Sequence, residues 1–163
     1  MRKLKKKLKT PKSPWDKDRI NKENDLMKVY GLRRKREIWK AESSLRSFRR
    51  RARNLAAKKD KIQEKILLEK LHEMGLLSKD ASLDNVLELT VENLLDRRLQ
   101  TFVFKAKLAN TPKQARQLIT HGHITVDGRR IVYPSFLITR SLEKKISFYV
   151  GSSIKIIKPK ISS

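Results

Sequence analysis

Apolar residues recur at intervals of three and four through the first two thirds of the chain, and alternate with polar ones only in short runs near its end. The first period is that of an amphipathic helix, the second that of a half-buried strand. From Asp16, the spacing of Ile20, Met27 and Tyr30 predicts a helix capped by Asp16 or Asp18 and stopped at Gly31. A second helix is expected from about 33 to 43 and a third over 44–57, where Leu45, Phe48, Ala52 and Leu55 form an inward stripe. Beyond Asp60, Ile62, Ile66, Leu67, Leu71 and Met74 are expected to face inward on a helix ending at Gly75, with a further apolar stretch around 83–89.

From Thr90 the pattern sharpens. Thr90 is placed to cap one helix in which Leu95, Leu99, Phe102 and Ala106 share a face, leaving Arg98, Thr101 and Lys105 on another with Arg97 beside them. Thr111-Pro112-Lys113-Gln114 then starts a second helix: Thr at the N-cap, Pro in the first turn, and Gln able to close a capping box. Ala115, Leu118 and Ile119 face in, Lys113, Arg116, Gln117 and Thr120 face out, and Gly122 supplies the left-handed stop. A strand at 123–126 turns on Asp127-Gly128, a type I′ pair, into a second at 129–132; Pro134 breaks it, and 145–150 forms another strand. The expected fold is α+β: a helical N-terminal domain (16–95), then a small module (96–150) of two helices packed on a short twisted antiparallel sheet. A basic arm (1–15) precedes them and a basic tail (151–163) follows, with Pro11, Pro14 and Trp15 as anchors for the arm's end.

Charge changes the picture from scaffold to partner. Of 163 residues, 41 are Lys or Arg and 17 Asp or Glu, a formal charge of +24. Residues 1–60 carry 23 basic and 7 acidic side chains, 61–96 carry 4 and 8, and 97–163 carry 14 and 2. Two cationic blocks therefore flank a partly acidic helical one, which points to a polyanion: each cation that neutralises a phosphate releases condensed counterions. An anionic membrane is the competing partner, but no helix offers a broad Trp/Phe/Leu face opposite its lysines. There is no Cys, hence no disulfide, thiolate nucleophile or Cys-containing zinc site. No apolar run reaches about 18 residues and no apolar segment follows the basic start, so a soluble chain is expected, neither secreted nor membrane-spanning.

The sharpest candidate chemistry lies at 46–53. Arg46, Arg49, Arg50 and Arg53 fall at i, i+3, i+4 and i+7, a stripe with no carboxylate evident beside it, so that like charges oppose the helix until an anion sits against them. Arginine supplies the planar fork that suits phosphate, although a solvated basic face is the plainer alternative. The backbone N–H groups after Thr111 add an anion site without a side chain. Glu64, Glu69, Glu73, Asp80, Asp84, Glu88, Glu92 and Asp96 scatter along helix surfaces, which disfavours acid–base catalysis. His121 and His123 flank Gly122 without a third metal ligand, and polar contacts suit them better. No catalytic, cofactor or metal site is expected.

These residues carry a resemblance. Residues 96–137, above all TPKQARQLITHGHI at 111–124, resemble the RNA-binding module named after small-subunit ribosomal protein S-four. TPKSPWDKDRINKEN, KVYGLRRKREIWKAE and LRSFRRRARNLAA resemble the amino-terminal half of that family's archaeal and eukaryotic branch, so the resemblance covers nearly the whole chain. It implies a structural constituent of the small ribosomal subunit that binds its rRNA early in assembly, at a multi-helix junction of the 5′ domain. It further implies neighbouring ribosomal proteins, including the S-five family protein, an influence on decoding accuracy, and a cytoplasmic location that is nucleolar during assembly in a eukaryote; no stable homo-oligomer is expected. By matching position, the implied contacts are Arg97, Arg98 and Lys105 on one helix, Thr111, Lys113, Gln114, Arg116 and Gln117 on the next, His121 and His123 at its end, and Arg46, Arg49, Arg50, Arg51 and Arg53 as a second surface. The tail GSSIKIIKPKISS departs from the family's usual extension. Two alternatives stand beside this reading: a nucleolar assembly factor of the same family, and an RNA-modifying enzyme or its subunit.

Overall fold

Asp16 and Asp60 begin their helices by the same means, each side chain accepting from backbone N–H groups of the first turn that have no partner within the helix. In the computed structural model, which describes residues 8–152, these caps open α1 (Lys17–Val29) and α3 (Lys61–Glu73). Between them runs α2 (Lys35–Lys58), a single helix of 24 residues rather than the two expected. No breaker separates the two halves, and the Ser43 and Ser44 hydroxyls return to the carbonyls of Trp39 and Lys40 four residues back instead of capping a new helix. α4 (Leu83–Glu88) and α5 (Val91–Asp96) are short and each starts in a capping box, Ser82 with Asn85 and Thr90 with Asn93.

The helix expected from Thr90 to Ala106 is also revised: it breaks after α5, and α6 (Leu99–Lys105) starts afresh. Arg98 is extended at the break and bridges Leu137, while the Leu99 N–H reaches the Phe136 carbonyl at 2.7 Å and the Ile138 N–H the Arg97 carbonyl at 2.8 Å. Strand-like pairing to a distant segment has overridden helix propagation. α7 (Pro112–Thr120) follows; Thr111 caps it as expected, but the Gln114 side chain accepts from the Asn110 N–H rather than closing on the cap residue itself.

β1 (Ile124–Val126), β2 (Arg129–Arg130) and β3 (Ile146–Phe148) form an antiparallel sheet in the order β2-β1-β3, with a 3-10 turn at Arg140–Lys145 before β3. Asp127 and Gly128 both have positive φ, 53° and 76°, as a type I′ turn demands. β2 stops earlier than its sequence suggests because Val132 and Tyr133 turn outward into solvent.

Three apolar clusters hold these elements. Leu45, Ala52, Leu67, Leu71 and Leu94 centre the first, Leu99, Val103, Ala115, Ile119 and Ile124 the second, and Leu32, Ile38 and Leu95 a smaller third. Leu94, Leu95 and Leu99 thus send one short stretch of chain into all three. Two inward assignments fail: Ile62 and Ile66 are 74% and 52% exposed, because Leu67, Leu71 and the partly buried Leu68 and Met74 already fill the face of α3 that meets the core. Trp15 is 88% exposed and anchors nothing; Arg19 instead holds the arm's end, donating to the Ser13 and Pro14 carbonyls at 2.9 Å. The first seven residues of the arm, and the tail from 153, lie outside the described residues.

Gly31 joins the two halves of the fold. Its φ is +58°, and a Cβ there would come within 2.8 Å of the Pro112 Cβ and 3.1 Å of the Gln100 Nε2. The buried Gln100 amide donates to the carbonyls of Tyr30, Gly31 and Pro112 at 3.0, 3.1 and 2.9 Å. Gly31→Ala is expected to destabilise the chain by about 2 kcal/mol, from the left-handed backbone and the crowding together. A urea titration checks this, and an unchanged midpoint contradicts it.

Candidate nucleic-acid interface

Helix α2 presents its arginines unequally. Arg50, Arg51 and Arg53 are exposed and form no ion pair among the described residues. Arg46 does have a carboxylate, Glu42 one turn back at 3.2 Å, which corrects the expectation of a stripe without acids. Arg49 is half-buried and donates to the Leu89 carbonyl at 2.6 Å, pinning α2 to the loop after α4. At 100° per residue, Arg46, Arg50 and Arg53 share one face, while Arg51 follows Arg36 and Lys40 along a second edge.

The arginines at the break between α5 and α6 face inward, not outward. Arg97 donates to the Ile138 carbonyl at 2.7 Å, pairs with Glu143 at 2.6 Å and stacks over the Phe102 ring. Arg98 is 6% exposed and pairs with Glu37 of α2, the same carboxylate that Arg116 of α7 grips at 2.9 Å. Thr101, expected beside them on a polar face, is buried with its hydroxyl on the Leu95 carbonyl at 2.8 Å. Burial pushes the Glu37 carboxyl up, but the hydrogen bonds and charges of Arg116 and Arg98 outweigh it and hold the group below its usual range. Glu37 went unnoticed in the sequence. The available signal was its position, a single carboxylate directly after the run Arg33-Arg34-Lys35-Arg36.

On α7 the outward set is smaller than expected but real. Lys113 and Gln117 are exposed, Thr111 is exposed with its hydroxyl committed to the Gln114 N–H, and Gln114 is half-buried on Asn110. Lys105 is exposed and 3.1 Å from Asp96. The His121 and His123 rings stack 6.2 Å apart, with His121 exposed and the Nδ1 of His123 3.0 Å from the Ser152 hydroxyl. Arg130, overlooked in the sequence, bonds the Gly122 carbonyl at 3.1 Å and lies over the Tyr149 ring. Among the described residues no three His, Asp or Glu side chains gather as a metal site, and no helix is long and apolar enough to cross a membrane.

The sequence that builds this arrangement, an arginine-bearing helix tied through one carboxylate to a helix–helix–sheet module, is similar to known proteins along most of its length. The family model of the S4 domain matches residues 97–143, and that of the ribosomal protein S4/S9 N-terminal domain matches residues 2–96. A small ribosomal subunit protein uS4 from Thermoplasma volcanium is 52% identical over 91% of this chain and 78% of its own length. Its namesakes from Saccharolobus solfataricus and Sulfolobus acidocaldarius are each 49% identical, over 99% and 94% of this chain and 91% and 90% of theirs. The chain belongs to the ribosomal protein S4 family.

In this member of the S4 family the cations divide by partner. Arg49, Arg97, Arg98 and Arg116 are engaged by carbonyls or carboxylates of the chain, whereas Arg50, Arg51, Arg53 and Lys113 point at solvent. A depressed carboxyl pKa contributes stability that is complete above the unfolded value, near 4.5, and is lost as pH falls through the lower folded value. Glu37→Gln is therefore expected to cost roughly 3 kcal/mol at neutral pH, since it strands the buried Arg98 charge. In denaturation curves the gap from the parent should narrow below pH 4.5; a gap that does not depend on pH contradicts the assignment.

Proposed function

We propose that this chain is a structural constituent of the small ribosomal subunit that binds its rRNA, not an enzyme. The reading is carried by one observation: several exposed, unpaired cations on α2, and Lys113 on α7, stand on two helices whose relative position Glu37 fixes through Arg98 and Arg116. Such a frame grips two RNA helices and holds the angle between them. Structured RNA is recognised chiefly by shape, phosphates and 2′-hydroxyls, which suits an Arg/Lys/Gln surface. The small ribosomal subunit proteins uS4 at about half identity support the same role. Units 16–95 and 96–150 each supply one of the surfaces.

Within that role, Arg46, Arg50, Arg51 and Arg53 form one RNA surface, and Lys105, Lys113, Gln117 and His121 the other. Arg49, Arg97, Arg98 and Arg116 position the elements that carry them, with Thr111 and Gln114 shaping the start of α7 and His123 its end. The family resemblance adds finer expectations: a junction of the rRNA 5′ domain as the target, the S-five family protein as a neighbour, an influence on decoding accuracy, and a cytoplasmic location.

Sedimentation of the tagged chain in cell lysate at moderately high salt tests the role. Comigration with mature small subunits and translating ribosomes is expected; confinement to precursor particles, or release to the top of the gradient, contradicts it. Binding to a 5′-domain rRNA fragment should weaken steeply with salt, at roughly −0.7 to −0.9 in log–log slope per neutralised phosphate. Replacing Arg50 and Arg53 by Ala should flatten that slope by about 1 to 2. Arg98→Ala should instead lower the unfolding midpoint, and an effect of Arg98→Ala on slope alone would reverse the division of roles.

A further inference from the structure

A groove of about 460 Å³ lies between α2, α5 and the loop 134–137 that follows β2. Phe48 of α2, Leu94 and Leu95 of α5, and Leu137 of the loop give it an apolar lining. Its edge is cationic: Arg34, Arg36 and Lys40 line it, are exposed, and form no ion pair among the described residues. Its one carboxylate, Glu37, is already held by Arg98 and Arg116. The occupant that complements this surface is anionic at its margins and flat and weakly polar at its centre.

The chain's own ends do not fit that description. The arm already meets the groove, with Leu8 in its lining and the Lys9 N–H on the Ser43 hydroxyl at 3.1 Å, but residues 1–7 bring five cations and no acid, and residues 153–163 bring Lys155, Lys158 and Lys160 with no acidic side chain, so neither end supplies the negative charge that the edge calls for. Paired RNA offers phosphate and 2′-hydroxyl but has no use for an apolar lining, whereas an unpaired base splays out and packs on aromatic and apolar side chains. Ser135, which also lines the groove, offers a hydroxyl to a base edge, whereas that of Ser44 is donated to the Lys40 carbonyl. An acidic, leucine-rich peptide shares the charge sign. RNA is favoured because Arg51 stands on the same edge of α2 as Arg36 and Lys40, about three turns beyond Lys40, where a continuing chain of phosphates would reach it.

We propose that this groove receives one unpaired nucleobase of the bound RNA, with the flanking phosphates on Arg34, Arg36 and Lys40. The proposal rests on the RNA-binding role above and adds a site to it. It makes the protein sensitive to where an RNA helix is interrupted, not only to the angle between helices.

The test uses the full chain and two synthetic RNA duplexes, identical but for a single bulged 2-aminopurine, with affinity read by fluorescence anisotropy at fixed salt. The bulged duplex is expected to bind about tenfold more tightly. Ser44→Trp, which fills the groove and leaves every cation in the sequence, should abolish that preference and leave affinity for the paired duplex unchanged, while Ser44→Ala should keep it. Leu137→Glu, on a half-exposed side chain, is a second route to the same loss should Ser44→Trp misfold. Equal binding of the two duplexes by the parent chain overturns the groove and leaves the RNA-binding role standing. Absence of salt-dependent binding to either overturns both. A bulge preference that survives in folded Ser44→Trp or Leu137→Glu, with loss of binding to a glutamate- and leucine-rich peptide, assigns the groove to a protein segment and likewise overturns the proposal.

Discussion

The one charged joint on which the two halves of this molecule both depend is Glu37. It sits in the first turn of α2, and its two oxygens take Arg98 from the break between α5 and α6 and Arg116 from α7. Three elements are thereby fixed around a single negative charge inside a chain of formal charge +24. The desolvation of Glu37 is offset only because two guanidiniums bond it at once, and that requirement sets the geometry: neither arginine can leave without stranding the others. Gln100, buried alongside with its amide on the Tyr30, Gly31 and Pro112 carbonyls, adds uncharged bonds between the same segments. The joint is polar and directional, and although the buried Arg98 Nε has no hydrogen-bond partner among the described residues, it specifies an angle where apolar packing alone would tolerate several.

The same kind of internal pairing offsets part of the repulsion within a strongly cationic chain. Arginines placed where they would repel one another are instead spent on carbonyl caps and carboxylates: Arg49 on Leu89, Arg97 on Ile138 and Glu143, Arg140 on His72 and Leu77. Glu23 does the same between α1 and α2, accepting from Trp39 at 2.9 Å with Arg19 and Lys35 beside it. The many cations that remain unpaired among the described residues all lie at exposed positions, where solvent and salt screen the repulsion. The cationic surface is thus the residue of an internal accounting of charge, and this is what makes its placement informative about the partner.

Much of the fold was legible in the sequence because local signals decided it. The Asp16 cap, the Thr111-Pro112 start, the Gly31 and Gly122 stops and the Asp127-Gly128 turn all act within a few residues, and each stands where the pattern put it. The failures share one cause, contacts distant in sequence. Arg98 breaks a helix by pairing with Leu137; Ile62 and Ile66 lose the core to Leu67 and Leu71; Thr101 is drawn under Leu95. The candidate site suffered most, since periodicity says which face a side chain is on but not whether an acid from another element is waiting there. Arg98 and Arg116 read as a binding surface for that reason, and Glu37 escaped notice.

The exchange between buried and exposed arginines also bears on how the proposed RNA-binding faces act. A surface carried on flexible lysines would conform to many RNA shapes and discriminate little among them. Here α2 is one uninterrupted helix of 24 residues, so Arg36 at one end and Arg53 at the other are held on a common rod. α7 is locked to that rod through Glu37, and Lys113 and Gln117 inherit its orientation. Two phosphate tracks fixed in this way reward an RNA whose helices already diverge at the matching angle and penalise one that must bend. Because the bases need not be read for this discrimination, the proposed RNA-binding role gains selectivity for RNA shape from the rigidity of the joint rather than from hydrogen bonds to sequence.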